Sequence, residues 1–486
     1  MNGGMSPFVI VIFGGTGDLA QHKLFPALFS LFDKGLLGEK FYIVGFARRS
    51  FTDEEYRKFL REELCVKGSE VKRWGNFAEN IYYQQGYFDE FSGYAQLNKK
   101  LDTFDAEAGG DMTHLLYLAT PPDKYLSILH NLKESKLARS IRTRLAIEKP
   151  FGRDLENARE LDKRLSEIFK ERQIYRVDHY LAKETVQNVL AFRFANGIFE
   201  PVWNKNYLDH VQITFAEKAG IGSRGSFFDG IGIMRDVAQN HLLQLLATIT
   251  MEQPKSFARE DVRNVRAAAI KAIRSIRPED VTSQVIRGQY EGYKKESEVA
   301  ENSMTETFVA MKLFVDTKRF ENVPFYIRAG KGMAKNVVKI KLVFKQTCSV
   351  LFKEYGCPEI GNVLTIRIQP NEGIGMRVVV KRPPISGAKS QLALGTVDMK
   401  FLYKEEFGGH KDVSYEKLLL DIFSGDQTLF NRSDELESSW SLISQIMEGW
   451  KNQNDSEKFV LPTYKIGSWG SQEANVLIEK DGRKWI

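Results

Sequence analysis

Residues 176–184 read RVDHYLAKE, so a carboxylate (Asp178), an imidazole (His179), a phenol (Tyr180) and an ammonium (Lys183) fall within six positions. Two chemistries call for such a set. An anion is held by imidazole, phenol and ammonium donors, and a proton is moved by a histidine that a carboxylate orients. A solvated helix start would use the same letters. His241 lies on the stripe Met234, Ala238, His241, Leu245 of a predicted helix, where a histidine reads first as a core residue. Its ordinary pKa near neutrality also suits it to take the proton of a C–OH group as hydride leaves the carbon. An aspartate on the other ring nitrogen would fix its tautomer, and Asp178 is the candidate. Alternation at a strand end would send Asp178 and His179 to opposite sides. Lys183 would lie near His179 if a helix begins at about Leu181.

A second group of residues suits phosphate. FGGTGDLA (13–20) follows an apolar run and precedes a helical one. Gly14, Gly15 and Gly17 permit a tight turn, and the backbone from Gly14 through Thr16, Asp18 and Leu19 would meet a pyrophosphate at the helix N-terminus. The spacing departs from GxGxxG, and an ordinary strand-to-helix turn explains the motif alone equally well. The next apolar run ends in Ala47-Arg48-Arg49. An acidic residue there would bond the ribose 2′-hydroxyl of NAD, whereas a guanidinium suits the 2′-phosphate of NADP. Arg48 is the candidate, and Arg49 reads as a solvated strand edge.

The elements that must position these groups divide the chain. FVIVIFG (8–14), FYIVGFAR (41–48), HLLYLAT (114–120) and TRLAIEK (143–149) are continuous apolar runs separated by helical stretches, the pattern of a parallel sheet covered on both faces. A helix is expected to stop at Gly35, and another to cover 154–172. Beyond about residue 180, TETFVAMKLFVD (305–316), VVKIKLVFK (337–345), VLTIRIQP (363–370) and MRVVVKR (376–382) alternate, implying a mostly antiparallel sheet. YEGYKKESEVAENS (290–303) reads as an exposed loop. The expected fold class is α/β plus α+β. A Rossmann-type dinucleotide-binding domain would span 1–176, and a substrate-binding and dimerisation domain 177–486.

Composition narrows the function. The 486 residues carry 69 basic and 63 acidic side chains, net +6, and 43% hydrophobic residues. That mild, dispersed excess suits an anionic small molecule better than nucleic acid. Cys65, Cys348 and Cys357 show no CxxC spacing, fit reduced thiols in a cytoplasm, and with seven histidines lacking HExxH suggest no metal. No apolar run is long enough to cross a bilayer.

Over essentially its whole length the chain resembles the glucose-6-phosphate dehydrogenase family. GGTGDLAQHKLFP (14–26), VGFAR (44–48), IEKPFG (147–152), RVDHYLAKE (176–184), MRDVAQNH (234–241), PFYIRAGK (324–331) and GSWG (467–470) carry the resemblance. An EKP box alone also occurs in other two-domain sugar oxidoreductases. The resemblance implies oxidation of β-D-glucose 6-phosphate at C1 to the 6-phosphogluconolactone with hydride passing to NADP+, the first oxidative step of the pentose phosphate pathway. It also implies that His241 is the general base, oriented by Asp178, and that His179, Tyr180 and Lys183 hold the phosphate. Lys23, Lys149, Glu217, Asp236 and Lys331 would line the sugar or its junction with the nicotinamide. Tyr117 and the loop Thr120-Pro121-Pro122 would meet the cofactor, with Lys149 at the same junction and a cis bond before Pro150. Five residues past Lys331 the family usually has a second basic residue, where this chain has Asn336; the neighbouring Lys335 is a possible substitute. The resemblance further implies a cytoplasmic homodimer or homotetramer, NAD+ being a weaker alternative cofactor. Two competitors are another EKP-box sugar oxidoreductase and a non-catalytic NADP or sugar-phosphate sensor. Three phosphate-directed side chains count against the first, and retention of both Asp178 and His241 against the second.

Overall fold

Every side chain of FVIVIF is at most 1% exposed, which only a strand sheathed on both faces achieves. That strand, β1 (Phe8–Phe13), is the centre of the first sheet in this computed structural model, which describes residues 5–64, 70–110, 112–138, 140–347, 352, 355, 357–383, 393–408, 414–454 and 459–486. It pairs in parallel with β2 (Phe41–Ala47) and β4 (Thr113–Leu118), Phe8 lying opposite both Phe41 and Thr113. With β3 (Ile81–Gln85), β5 (Thr143–Glu148) and β6 (Ile174–Val177) the parallel order is β6-β5-β4-β1-β2-β3. Strand order reverses between β4 and β1, so their C-terminal ends border the crevice where open α/β sheets bind ligands. The first helical run ends before Gly35 (φ +69°), as expected, and the later crossover helix is Leu155–Ser166.

Two later segments complete this unit, which comprises residues 1–182, 255–263 and 412–437. A two-residue strand, Phe430–Asn431, pairs antiparallel with β6. Beside it Arg176 and Arg263, each 1% exposed, share Glu171 at 2.9 and 3.0 Å, and Arg176 also reaches Asp162 at 2.5 Å. Gln427 Nε2 donates to the carbonyls of Glu171 and Ile174. A buried guanidinium left unpaired would cost several kcal/mol, so this network fixes both segments in place.

The second unit comprises residues 183–254, 264–411 and 438–486. Its strands are β7 (Leu208–Ala216), β8 (Val285–Tyr290), β9 (Phe308–Leu313), β10 (Phe325–Gly330), β11 (Val337–Phe344), β12 (Val363–Gln369), β13 (Gly373–Lys381), β14 (Leu394–Leu402) and, after Phe430–Asn431 as β15, β16 (Thr463–Tyr464). They form one sheet in the order β14-β13-β12-β11-β7-β10-β9-β8-β16. All neighbours are antiparallel except β7 with β10 and β8 with β16. The helix Leu243–Thr250 is buried all round and fills the core. This is the mostly antiparallel second sheet that the alternating segments imply. The expected loop from Tyr290 closes β8 and begins with a 3-10 turn, Tyr293–Lys295. Among the described residues no helix is long and apolar enough to cross a membrane. Cys357 is disulfide-bonded, correcting the expectation of reduced thiols, for which spacing alone carried no pairing signal. Cys65 and Cys348 lie outside the described residues.

Candidate active site

In the first unit the glycine turn leaves β1 under two constraints. Gly14 has φ +86°, and a Cβ there would lie 2.4 Å from the Ala119 carbonyl oxygen. At Gly15 a Cβ would come within 2.7 Å of Gly45 Cα and 2.8 Å of the Tyr56 hydroxyl, which donates to the Gly15 carbonyl. Both glycines are therefore required by the protein's own packing. Gly17 differs: the only heavy atom near its would-be Cβ is the Gly14 carbonyl oxygen at 3.2 Å, so it leaves room beside the turn. Thr16, Gly17 and Leu19 are half-buried and Asp18 is exposed. The helix beginning at Asp18 has early N–H groups with no partner on their own helix, as an anion requires. Lys23 is exposed on the π-helical turn Ala20–Leu24 that continues it.

Across the crevice, at the end of β4, Thr120 Oγ1 is buried without a hydrogen-bond partner among the described residues. An orphaned hydroxyl, an open glycine and unpaired amides at the reversal of strand order fit a dinucleotide. Arg48 is exposed at the end of β2, while the neighbouring Arg49 guanidinium sits 5.6 Å above the Phe59 ring. Pro121 is exposed and opens the short turn Pro122–Lys124. Lys149 is half-buried, and its bond to Pro150 is cis.

Beside Lys149, two phenols converge on a residue not singled out from sequence. Tyr117 and Tyr415 hydroxyls donate to Glu148 Oε1 at 2.6 and 3.3 Å. Burial pushes this carboxyl from 4.5 to about 7; the two phenols and Lys149 oppose the rise, and Asp178 adds to it. Tyr415 also stacks at 6.4 Å on His179, whose ring lies 5.0 Å from that of Tyr180. The IEKPFG box contains Glu148, but Tyr415 comes from the returning segment 412–437 and no local pattern announces it.

RVDHYLAKE is not the strand end and early helix expected. β6 stops at Val177, and the chain turns: Leu181 N–H donates to the Asp178 carbonyl, and Tyr180 N–H to Asp178 Oδ1 at 2.9 Å. The helix begins only at Glu184, with Lys183 as its N-cap residue in extended conformation. The carboxylate engages the backbone two residues on, as Asp side chains in turns do. Asp178, Tyr180 and Lys183 are buried, His179 half-buried.

In the second unit, parallel pairing does what sequence spacing cannot. Ala216 of β7 lies opposite Gly330 of β10, so Glu217 and Lys331 leave the sheet side by side. Lys331 Nζ, 2% exposed, lies 2.5 Å from Glu217 Oε2, 3.6 Å from Asp236 Oδ2, and 5.3 Å from the Phe228 ring centroid. Asp236 stands on the π-helix Met234–Leu242, whose first N–H donates to Glu306 Oε1 at 3.0 Å. π-Helical winding bonds residue i to i+5, and His241 is five residues beyond Asp236. An α-helical stripe misses that relation. His241 is 2% exposed, its ring stacked 6.3 Å from Phe215 of β7. The predicted apolar stripe is nonetheless buried throughout. Lys335 Nζ lies 5.7 Å over Trp469, and Asn336 Oδ1 accepts from the Lys218 N–H. Asn336 is thus occupied by backbone.

A doubly wound sheet with a phosphate-type turn, joined to a mostly antiparallel sheet carrying a buried lysine between two carboxylates, defines a two-domain nicotinamide-dependent dehydrogenase. The family description "Glucose-6-phosphate dehydrogenase, NAD binding domain" matches residues 11–188, and "Glucose-6-phosphate dehydrogenase, C-terminal domain" matches 190–486. The chain belongs to the glucose-6-phosphate dehydrogenase family. It is 41% identical to glucose-6-phosphate 1-dehydrogenase of Chlamydia muridarum, covering 99% of this chain and 96% of that protein. A solved structure of glucose-6-phosphate dehydrogenase in complex with its substrate glucose-6-phosphate superposes with TM-score 0.89 at 33% identity, covering all of both chains. That of Mycobacterium avium glucose-6-phosphate 1-dehydrogenase gives 0.83 at 32%, covering 99% of each.

Proposed function

We infer that the protein oxidises β-D-glucose 6-phosphate at C1 to 6-phospho-D-glucono-1,5-lactone, with NADP+ as hydride acceptor. The observation carrying this reading is the convergence of Lys331 with Glu217 and Asp236 at the ends of β7 and the π-helix. Together they offer one donor group and two acceptors, which is what adjacent sugar hydroxyls need. His241 takes the C1 hydroxyl proton as general base, and Asp178 holds its imidazole and stabilises the cation formed. His179, Tyr180 and Lys183 bind the phosphate. Lys23 and Lys149 line the junction of sugar and nicotinamide, with Lys335 an auxiliary cation.

Bound NADP+ supplies the electrophilic carbon that accepts hydride. The residues from Gly14 to Leu19 would hold its pyrophosphate, Arg48 its 2′-phosphate, and Tyr117 and Pro121 would flank it. The exposure of Arg48 supports the NADP assignment, since a guanidinium engaged in the fold could not turn to a ligand. A cytoplasmic homodimer or homotetramer is the form this reading expects. Initial rates with glucose 6-phosphate, glucose and galactose 6-phosphate, each with NADP+ and NAD+, test it. Glucose 6-phosphate with NADP+ is expected to give the highest kcat/KM by far, and equal rates with free glucose would refute it.

A further inference from the structure

The second unit contains a cavity of about 490 Å³ away from Lys331, walled by β8, the segment 304–306 and the helix Ser433–Asn454. Arg287 of β8 is 5% exposed and forms no ion pair among the described residues. Its Nη2 donates to the Trp450 carbonyl, Gln453 Oε1 and Asn454 Oδ1, and its guanidinium lies over the rings of Trp450 and Phe459 at 4.9 and 4.8 Å. Among the described residues its Nε is buried with no acceptor, and so is Trp450 Nε1 on the same wall. Both atoms are closed to solvent, so what Arg287 offers the cavity is its positive charge and the small part of the side chain that remains exposed.

Charge and shape describe what the cavity suits. Arg235 and Lys451 add two cations to the lining. Of the carboxylates lining it among the described residues, Glu448 is exposed, while Glu306 is buried and has its pKa raised by that burial. Met304, Met447 and the Trp450 ring give the cavity an apolar side. We propose that this cavity is a second small-molecule site, binding a phosphate monoester with its oxyanion on Arg287 and Lys451 and its organic part against Met304, Met447 and Trp450. Arg235 is the second residue of the π-helix that bears Asp236 and His241, and Glu306 holds that helix's first N–H, so the site abuts the helix directly.

The test is calorimetry with phenyl phosphate on the full chain carrying His179→Ala and Lys183→Ala, which disables the phosphate subsite proposed above and leaves the walls of this cavity intact. One equivalent is expected to bind, at least tenfold more tightly than phenol. Lys451→Glu, an exposed change that the fold tolerates, should weaken binding tenfold or more, and Arg287→Met further still. Absence of binding, affinity unchanged in Lys451→Glu, or equal affinity for phenol would each overturn the proposal.

Discussion

Glu148 titrates where few carboxylates do, and the cause is burial opposed only in part by two phenols and a lysine. The folded chain keeps its proton between 4.5 and about 7 while the unfolded chain releases it, so stability falls as pH rises through that window. The loss corresponds to about 3 kcal/mol. Glu148→Gln keeps an acceptor for Tyr117 but cannot ionise. Its melting temperature should gain several degrees on the wild type between pH 5 and pH 8, and a pH-independent gap would disprove the shift. His241→Asn should lower kcat by about 10²–10⁴-fold with the glucose 6-phosphate Kd within a few-fold. Asp178→Asn should give a milder loss, because the base survives with its orientation weakened. A folded His241→Asn protein with near-normal kcat would remove that residue from the chemistry. Arg48→Ala should raise the NADP+ KM roughly tenfold to a hundredfold, as losing a charge-assisted bond of about 1.5–3 kcal/mol requires, and leave NAD+ kinetics unchanged. Equal losses with both cofactors would point to a structural role. The motifs made most of these residues visible, but not the partners they meet. Glu148 reaches Tyr415 across 267 residues, and Lys331 reaches Glu217 across 114.

At the scale of elements, buried strands were legible because six consecutive apolar residues admit few other readings, and alternation placed β9, β11, β12 and β13. The winding of Met234–Leu242 was not, since the same letters satisfy an α-helical stripe and only tertiary fixing by Glu306 and Phe215 accompanies the wider turn. The turn after Val177 is hidden in the letters for a similar reason: Asp178 caps its own backbone instead of continuing the strand. The glycine turn makes a sharp prediction. Gly14→Ala sets a Cβ against the Ala119 carbonyl at a positive φ, a strain of order 1–3 kcal/mol before the clash is added. It should lower the melting temperature by several degrees and weaken NADP+ and NAD+ alike, in contrast to Arg48→Ala. Unchanged stability would mean the turn relaxes freely.

On the whole molecule, the outer strands of the second sheet expose apolar side chains on one face. Register sets Met376 opposite Met399 and Val378 opposite Val397, with Val380 on the same face. Val397 and Met399 are 48% and 54% exposed. An apolar face of this kind is where the proposed oligomer would pair. Val397→Asp with Met399→Asp should shift light-scattering mass toward the monomer while leaving melting of the second sheet little changed; an unaltered mass would place the contact elsewhere. The return of residues 255–263 and 412–437 to the first unit has a consequence for biosynthesis. A ribosome emits β1 to β6 early, but the strand that borders β6, and Arg263, which shares Glu171 with Arg176, follow far later. The nucleotide-binding half therefore cannot mature as a self-sufficient nascent domain. Its last sheet edge stays open until residue 431 has emerged, and a message truncated anywhere before that point yields a chain with an unpaired edge strand, the kind of surface on which chaperones act and aggregates start.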